Sequence, residues 1–200
     1  ADRAMYRAKE LGRNTLQHHD GGGAPVGMPL GEQEELHQAI TGHQLFLQYQ
    51  PQVDVATGRI TGIEALVRWN HPAKGRVPPV NFIPLAEETG LIVPLGLWVL
   101  NEACRQARNW QDMGLPPLTI AVNVSAKQFA DPDFATHVTE ALERHRLQSR
   151  WLELEVTESV VMHDAERALA MMESLRALGV RLSIDDFGSG YSSLAALKTF

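Results

Sequence analysis

Five segments of the chain have the alternating apolar and polar residues that are typical of β-strands. Successive side chains point to opposite faces of a strand, so a period of two indicates one apolar and one polar face. The clearest example is 151–157, in which leucine and valine oppose glutamate and threonine. We predict strands at Leu45–Val53, Ile60–Trp69, Leu118–Val124, Trp151–Thr157 and Val180–Asp185.

Segments with helical patterns lie between these strands. We predict helices at about Gly31–Thr41, Leu97–Met113, Asp133–His145 and Ala165–Leu178, with another that begins near Ser193. Strands that alternate with helices form a largely parallel sheet, either open or closed into a barrel. The polar positions 123, 155 and 185 are spaced by 32 residues (155 − 123) and 30 residues (185 − 155), which is the length of a βαβ unit. The pattern therefore predicts an α/β fold.

A boundary is predicted near the start of the chain. Residues 1–17 have the pattern of a helix that ends at a glycine, and His18–Pro25 is rich in glycine and typical of a linker. We therefore expect three parts: 1–17, a linker at 18–29, and a main domain at 30–200. The chain begins without methionine and ends just after a predicted helix start, so we expect a piece of a longer protein.

Composition and charge narrow the classes of function. The 200 residues are 44% hydrophobic and 21% charged, as in an ordinary globular protein. The net charge of −6 argues against binding a DNA or RNA duplex, because proteins that bind phosphate backbones are usually basic. Cys104 is the only cysteine, so we expect no intrachain disulfide and a cytoplasmic location. The longest apolar stretch, Leu91–Leu100, is about half of a membrane span.

One predicted strand carries two charges on a single face. Glu64 and Arg68 are an even number of residues apart within a segment that is otherwise largely apolar. A strand buried on both faces is usually a continuous run of valine, isoleucine and leucine. Two charges there are costly unless a metal, an ion pair or a charged ligand compensates them. We therefore expect this strand to carry part of the functional site.

Four predicted strands carry an oxygen-bearing side chain near their carboxyl ends, on the face away from the helices: Glu64, Asn123, Glu155 and Asp185. Ligands bind at this end of the strands in α/β sheets and barrels. Three converging carboxylates repel one another unless a cation lies between them, and oxygen ligands suit Mg²⁺ or Mn²⁺. A single acidic residue there is more often a helix cap or a surface charge. The prediction of a metal site therefore depends on the whole set.

Four motifs, in order along the chain, closely resemble those of the EAL-domain family, which hydrolyses cyclic di-GMP. They are Glu64-Ala65-Leu66-Val67-Arg68-Trp69, Asn123-Val124-Ser125, Glu155-Val156-Thr157-Glu158 and Asp185-Asp186-Phe187-Gly188-Ser189-Gly190. The resemblance covers about residues 30–200, and residues 1–14 resemble the last helix of a GGDEF domain. It implies a TIM-like (β/α) barrel of EAL type, incomplete here, with about five of eight strands present.

The resemblance also implies roles for individual residues. The activity would be hydrolysis of cyclic di-GMP to linear pGpG with two Mg²⁺ or Mn²⁺ ions. Glu64, Asp185 and Asp186 would be catalytic, and Glu64, Asn123, Glu155, Asp185 and Asp186 would bind metal. The substrate would contact Gln50, Leu66 and Arg68, and Glu158 would hold the loop at 187–193.

The expected partners follow from the same resemblance. They are cyclic di-GMP, a second copy of the EAL domain in a homodimer, and an upstream GGDEF domain, within a parent protein that a sensor region could anchor to a membrane. Two functions stay open. The parent is either an active phosphodiesterase or a degenerate EAL domain that binds cyclic di-GMP without cleaving it. The family's remaining lysine and carboxylate, beyond residue 200, would distinguish the two.

Overall fold

A computed structural model describes residues 30–158, 160 and 164–185. Their strands are β1 (Leu45–Val53), β2 (Ile60–His71), β3 (Gly75–Val77), β4 (Thr119–Val124), β5 (Leu152–Thr157) and β6 (Arg181–Asp185). Their helices are α1 (Leu30–Thr41), α2 (Pro79–Thr89), α3 (Ile92–Asp112), α4 (Ala126–Phe129), α5 (Phe134–His145) and α6 (Ala165–Ala177), with a 3₁₀ turn at Ser149–Trp151. The expected helices at 1–17 and near Ser193, and the linker, lie outside the described residues.

The six described strands form one sheet. Its order is β1-β2-β4-β5-β6, and β3 pairs with β2 off this path. The strands β2, β4, β5 and β6 are parallel, which confirms the expected α/β arrangement. By contrast, β1 and β3 run antiparallel to β2. The physical reason is the short connection from β1 to β2, since a parallel return requires a crossover of a dozen or more residues.

The helices cover one face of this sheet and bury its apolar residues. On β4 and β5, the outward-facing side chains are Ile120, Val122, Val124, Leu152, Leu154 and Val156, and none is more than 5% exposed. They share one cluster with apolar residues of α3, α5 and α6. At roughly 1.5–3 kcal/mol for each fully buried aliphatic side chain, this face supplies much of the hydrophobic stabilisation.

A second hydrophobic cluster packs against the part of the sheet formed by β1 and β2. Leu36 of α1, Phe82 of α2 and Leu95 of α3 are buried around Trp69 of β2. The indole Nε1 of Trp69 donates to Gln44 Oε1 over 3.1 Å. Alongside this, Glu35 of α1 accepts a 2.6 Å bond from Lys74 and lies 3.3 Å from His71 Nε2. The C-terminal end of β2 is thus attached to α1.

All five predicted strands are present, with bounds within two residues of those expected. The helices were predicted less well, because α2 and the four-residue α4 were missed and α3 begins at Ile92 rather than at Leu97. Prolines account for the errors at α2 and α3. Pro79 begins α2 and Pro84 lies inside it, while Pro94 lies in the first turn of α3. Proline is compatible with a first turn, whose N–H groups have no partner within the helix. No described helix has the length and apolar character needed to span a membrane.

Candidate active site

Near the carboxyl ends of the strands, the face of the sheet away from the helices is polar and partly accessible to water. Along β5 the buried residues 152, 154 and 156 alternate with the half-buried residues 153, 155 and 157. Asn123 is the only exposed residue of β4, and Asp185 is exposed at the end of β6. The positions predicted to point away from the helices therefore share one face of the sheet, which we call the inner face.

The register of the strands brings the four predicted metal ligands to one level of the sheet. We call this set the acidic layer: Glu64, Asn123, Glu155 and Asp185. Asn123 lies directly beside Glu155. Glu64 pairs with a position two residues before Asn123, and Glu155 pairs with a position two residues before Asp185. The offset from Glu64 to Asp185 is therefore four residues over three strand steps. Tilted strands of an eight-stranded barrel shift by about one residue per strand, so this stagger fits a layer perpendicular to the barrel axis.

Glu64 and Asn123 are in direct contact. The amide Nδ2 of Asn123 donates to Glu64 Oε1 over 2.8 Å. The expected burial of this strand on both faces is wrong, because Glu64 and Arg68 are only half-buried while Ala65 and Trp69 on the other face are buried. Both charged side chains thus keep partial access to water on the inner face, which lowers the cost of placing them on this strand.

Glu155 is the residue of the acidic layer whose pKa is clearly shifted. Burial raises the pKa of its carboxyl group to about 7, and the negative charges of Glu64, Asp185 and Glu153 add to this effect. A hydrogen bond from Gln52 acts in the opposite direction. The carboxylates are thus close enough to repel one another, which is the electrostatic condition that a bound cation relieves.

The residues predicted to contact substrate lie on the same face as Glu64. In the antiparallel pairing of β1 and β2, Gln50 is directly opposite Glu64, and Leu66 is opposite Gln48. The Arg68 guanidinium donates to Gln48 Oε1 over 2.7 Å through Nε and to the backbone carbonyl of Val67 over 2.9 Å through Nη1. Its planar fork is therefore held at the edge of the acidic layer, where it can meet an anionic group.

Two predicted roles concern residues outside the described part. Asp186 and the loop at 187–193 are not among the described residues. Glu158 is half-buried immediately after β5. Its role in holding that loop stays a prediction, as does the contribution of Asp186 to a second metal.

The oxygen-bearing side chains of the site are chemically suited to a hard divalent cation, but they are not already arranged around one point. Carboxylate and amide oxygens are the ligands that such cations prefer, and the repulsion at Glu155 favours one. Within 30–158, 160 and 164–185, however, no three acidic, histidine or cysteine side chains form a ready cluster around one point. Glu64, Asn123, Glu155 and Asp185 are the residues that would hold the ion.

Two residues of the inner face were missed by the sequence argument. Gln48 contacts Arg68, and Gln52 Nε2 lies 3.4 Å from Glu155 Oε1. Glutamines at positions 48, 50 and 52 have the period of two that places them all on the face of Glu64. That regularity was the available signal, although it does not reveal which glutamine reaches which partner.

Several known proteins are similar to this chain. The bifunctional diguanylate cyclase/cyclic di-GMP phosphodiesterase MucR of Pseudomonas aeruginosa is 50% identical over 199 residues, which are 99% of this chain and 29% of MucR. The cyclic di-GMP phosphodiesterase PdeR of Escherichia coli is 40% identical over 205 residues, covering 100% of this chain and 30% of PdeR. The chain therefore spans less than a third of these curated relatives.

Solved structures agree with these similarities. The MucR phosphodiesterase in complex with c-di-GMP superposes with a TM-score of 0.81 at 53% identity, covering 84% of this chain and 68% of that one. The FimX EAL domain of Xanthomonas citri, also in complex with c-di-GMP, has a TM-score of 0.75 at 26% identity, covering 84% and 64%. Residues 33–200 match the EAL domain, and the chain belongs to that family.

Proposed function

We propose that the protein containing this chain hydrolyses cyclic di-GMP to linear pGpG with the help of divalent cations. The observation that carries the proposal is the layer of oxygen ligands at the carboxyl ends of β2, β4, β5 and β6, with Arg68 beside it. Support comes from relatives that are named cyclic di-GMP phosphodiesterases, including PdeR and NbdA of Pseudomonas aeruginosa, which is 43% identical over 196 residues.

The chain's own residues would bind and orient the substrate. Arg68, held by Gln48 and by a backbone carbonyl, would bind a phosphate oxygen through the part of its fork that faces the layer. Gln50 and Leu66 flank Glu64 and Arg68 on the inner face and would contact the remainder of the dinucleotide. Fixing the phosphate in this way lowers the entropic part of the barrier to attack.

Divalent cations would complete the site. Glu64, Asn123, Glu155 and Asp185 would hold the first ion, and Asp185 with Asp186 the second; we propose Mg²⁺ or Mn²⁺. When bound, such ions lower the pKa of a coordinated water and stabilise charge on the phosphoryl oxygens. Asn123, already bonded to Glu64, would fix the orientation of that carboxylate. Glu155 would have to lose its proton before binding.

A second candidate is a receptor that binds cyclic di-GMP without cleaving it. One observation favours it: the acidic side chains in the described part of the chain do not form a ready metal cluster. In that case Arg68 and Gln50 would bind the dinucleotide, and the outcome would be a change in a partner rather than a product.

The test is conversion of cyclic di-GMP to pGpG by the full-length protein with Mg²⁺ or Mn²⁺, followed by chromatography. Glu64→Gln keeps the size of the side chain and removes its charge. We expect at least about a hundredfold loss of turnover, above the loss seen when an outer partner of a metal ligand is removed. Binding of the dinucleotide without turnover by the wild type would favour the receptor, and no binding at all would exclude both.

The organisation of the parent protein is part of the proposal. We propose a GGDEF domain that ends at 1–17, a linker at 18–29 and an EAL domain from 30 onward. Homodimerisation through the EAL domain and a cytoplasmic location complete it. Supporting observations are the name of MucR, which includes a diguanylate cyclase, and the composition of His18–Pro25. Light scattering on the full-length protein tests the dimer.

A further inference from the structure

We infer that Gln52 is a positioning residue that orients the Glu155 carboxylate for metal binding, and that Gly62 leaves the space through which Gln52 reaches it. The inference depends on the proposed function, because it takes Glu155 as a metal ligand. Neither Gln52 nor Gly62 belongs to the motifs by which the chain resembles its family.

The contact joins strands that are not neighbours. Gln52 lies near the end of β1, where it is paired with Gly62 of β2, and two strands separate β1 from β5 in the sheet. Its Nε2 nevertheless lies 3.4 Å from Glu155 Oε1. Flat neighbouring strands are about 4.8 Å apart, so three steps exceed the length of a glutamine side chain. The curvature of the sheet brings the two groups together.

The absence of a side chain at position 62 leaves room for this path. A Cβ atom on Gly62 would lie 2.5 Å from Gln52 Oε1 and 3.3 Å from the backbone oxygen of Thr119. The first distance is below any ordinary contact, so the amide of Gln52 would have to move. Gly62 is buried, and its φ is outside the left-handed region, so space rather than backbone conformation requires glycine there.

The inner face below the contact also contains small residues. Ala121 of β4 is fully buried and pairs with Glu64 on one side and with Glu153 on the other. Gly62 and Ala121 are thus both small residues on the face that Gln52 and Glu155 share.

A hydrogen bond of this kind changes metal affinity. It fixes the orientation of a carboxylate that would otherwise rotate freely, and it leaves the second oxygen for the metal. Removing such an outer partner of a ligand typically costs about 10- to 100-fold in metal affinity or activity. Gln52 is half-buried and uncharged, so its substitution does not change the net charge of the layer.

The first experiment measures Mn²⁺ binding to the full-length protein by isothermal titration calorimetry. Gln52→Leu preserves approximate size and removes the donor, so we expect the Kd for Mn²⁺ to rise by about 10- to 100-fold. In turnover of cyclic di-GMP, the Mn²⁺ concentration at half-maximal rate should rise by the same factor, and the rate at saturating Mn²⁺ should stay near the wild type. A purely structural role would lower that plateau instead.

Gln38→Leu is the matched control. Gln38 Nε2 donates to Glu34 Oε1 over 3.0 Å on the exposed face of α1, so the variant removes a glutamine–glutamate bond far from the site. Its Kd for Mn²⁺ should equal that of the wild type. Urea unfolding monitors the fold of each variant, and Gln52→Asn, which keeps the amide but shortens it, replaces Gln52→Leu if the latter does not fold.

The second experiment is a double-mutant cycle with Gly62→Ala. Alone, the new methyl group displaces the Gln52 amide, and the Kd for Mn²⁺ should rise as in Gln52→Leu. In a Gln52→Ala background there is no amide to displace, so Gly62→Ala should not change the Kd for Mn²⁺ further, although its close approach to the backbone oxygen of Thr119 can lower the free energy of unfolding in both backgrounds. Such non-additivity is the signature of two residues that act through one contact.

Three results would overturn the inference. They are a wild-type Kd in Gln52→Leu, equal effects of Gly62→Ala in both backgrounds, and a loss of plateau rate without a change in Kd. Failure of the proposed function would give a different result. The wild type itself would then neither bind Mn²⁺ nor convert cyclic di-GMP, so there would be no metal-binding carboxylate for Gln52 to orient.

Discussion

The two faces of β5 show how stability and chemistry are separated in this molecule. Leu152, Leu154 and Val156 face the helices and are fully buried, whereas Glu153 and Glu155 face the opposite side and are half-buried. Both sets lie on five consecutive residues. Neighbouring residues can therefore differ completely in what they contribute, because one face excludes water and the other retains it.

The difference is also electrostatic. No charged side chain lies on the outer face of β5, so the contribution of this face to stability depends on how closely its apolar side chains pack. On the inner face, burial raises the pKa of Glu155, and the negative charges of Glu64, Asp185 and Glu153 raise it further. An apo protein with such a face is less stable than it would be with neutral residues there. That cost is typical of sites that are built to receive a cation.

The largest expected effect comes from the outer face. Leu154→Ala creates a cavity in the main core and should lower the free energy of unfolding by about 2–5 kcal/mol. Urea denaturation of the metal-free protein measures this. Glu153→Gln, at the adjacent inner position, should change the same quantity by about 0.5 kcal/mol or less. Equal losses in the two variants would contradict the separation of the faces.

The period of two was sufficient to predict the two faces of β4 and β5, where buried apolar residues alternate with the predicted polar positions 123, 153 and 155. It could not show that Gln52 reaches Glu155, because that contact depends on the curvature of the sheet and on the missing Cβ of Gly62. The antiparallel direction of β1 was not predicted, although the six residues between the predicted strands indicate it. Contacts between distant strands were thus beyond the sequence pattern.

A second expected effect concerns pH. The pKa of Glu155 in the metal-free protein is raised to about 7, and its proton must leave before a metal binds. The Kd for Mn²⁺ should therefore rise by about tenfold per pH unit below 7 and become constant above it. Titration calorimetry between pH 5.5 and 8, values chosen to span about one unit on each side of that pKa, measures this. Glu155→Gln should abolish the dependence.

The same pKa has a consequence for stability with the opposite sign. A carboxyl group whose pKa is higher in the folded than in the unfolded protein binds more protons when folded. The metal-free protein should therefore gain stability from this group as the pH falls from about 7 towards the ordinary glutamate range. Glu155→Gln should lose that gain, and a wild-type profile in this variant would assign the effect to another group.

The smallest expected effect is a shift of the midpoint of this pH dependence. Glu153 lies on the inner face and its negative charge contributes to the raised pKa of Glu155. Glu153→Gln should move the midpoint to lower pH, while Glu143→Gln on the exposed surface of α5 should leave it unchanged. A midpoint that moves equally in both variants would show that only the net charge of the protein matters.

The antiparallel β1 has a consequence for the order in which the chain folds. Pairing of β1 with β2 closes a turn of six residues between Val53 and Ile60, whereas Glu64 meets β4 only across 57 residues (121 − 64). Local pairings form faster than those that close long loops. We therefore expect the hairpin with Gln50, Gln52 and Arg68 to form before the acidic layer is complete. The free edge of β2 is then available to pair with β4, and β5 and β6 follow in the order of the sheet.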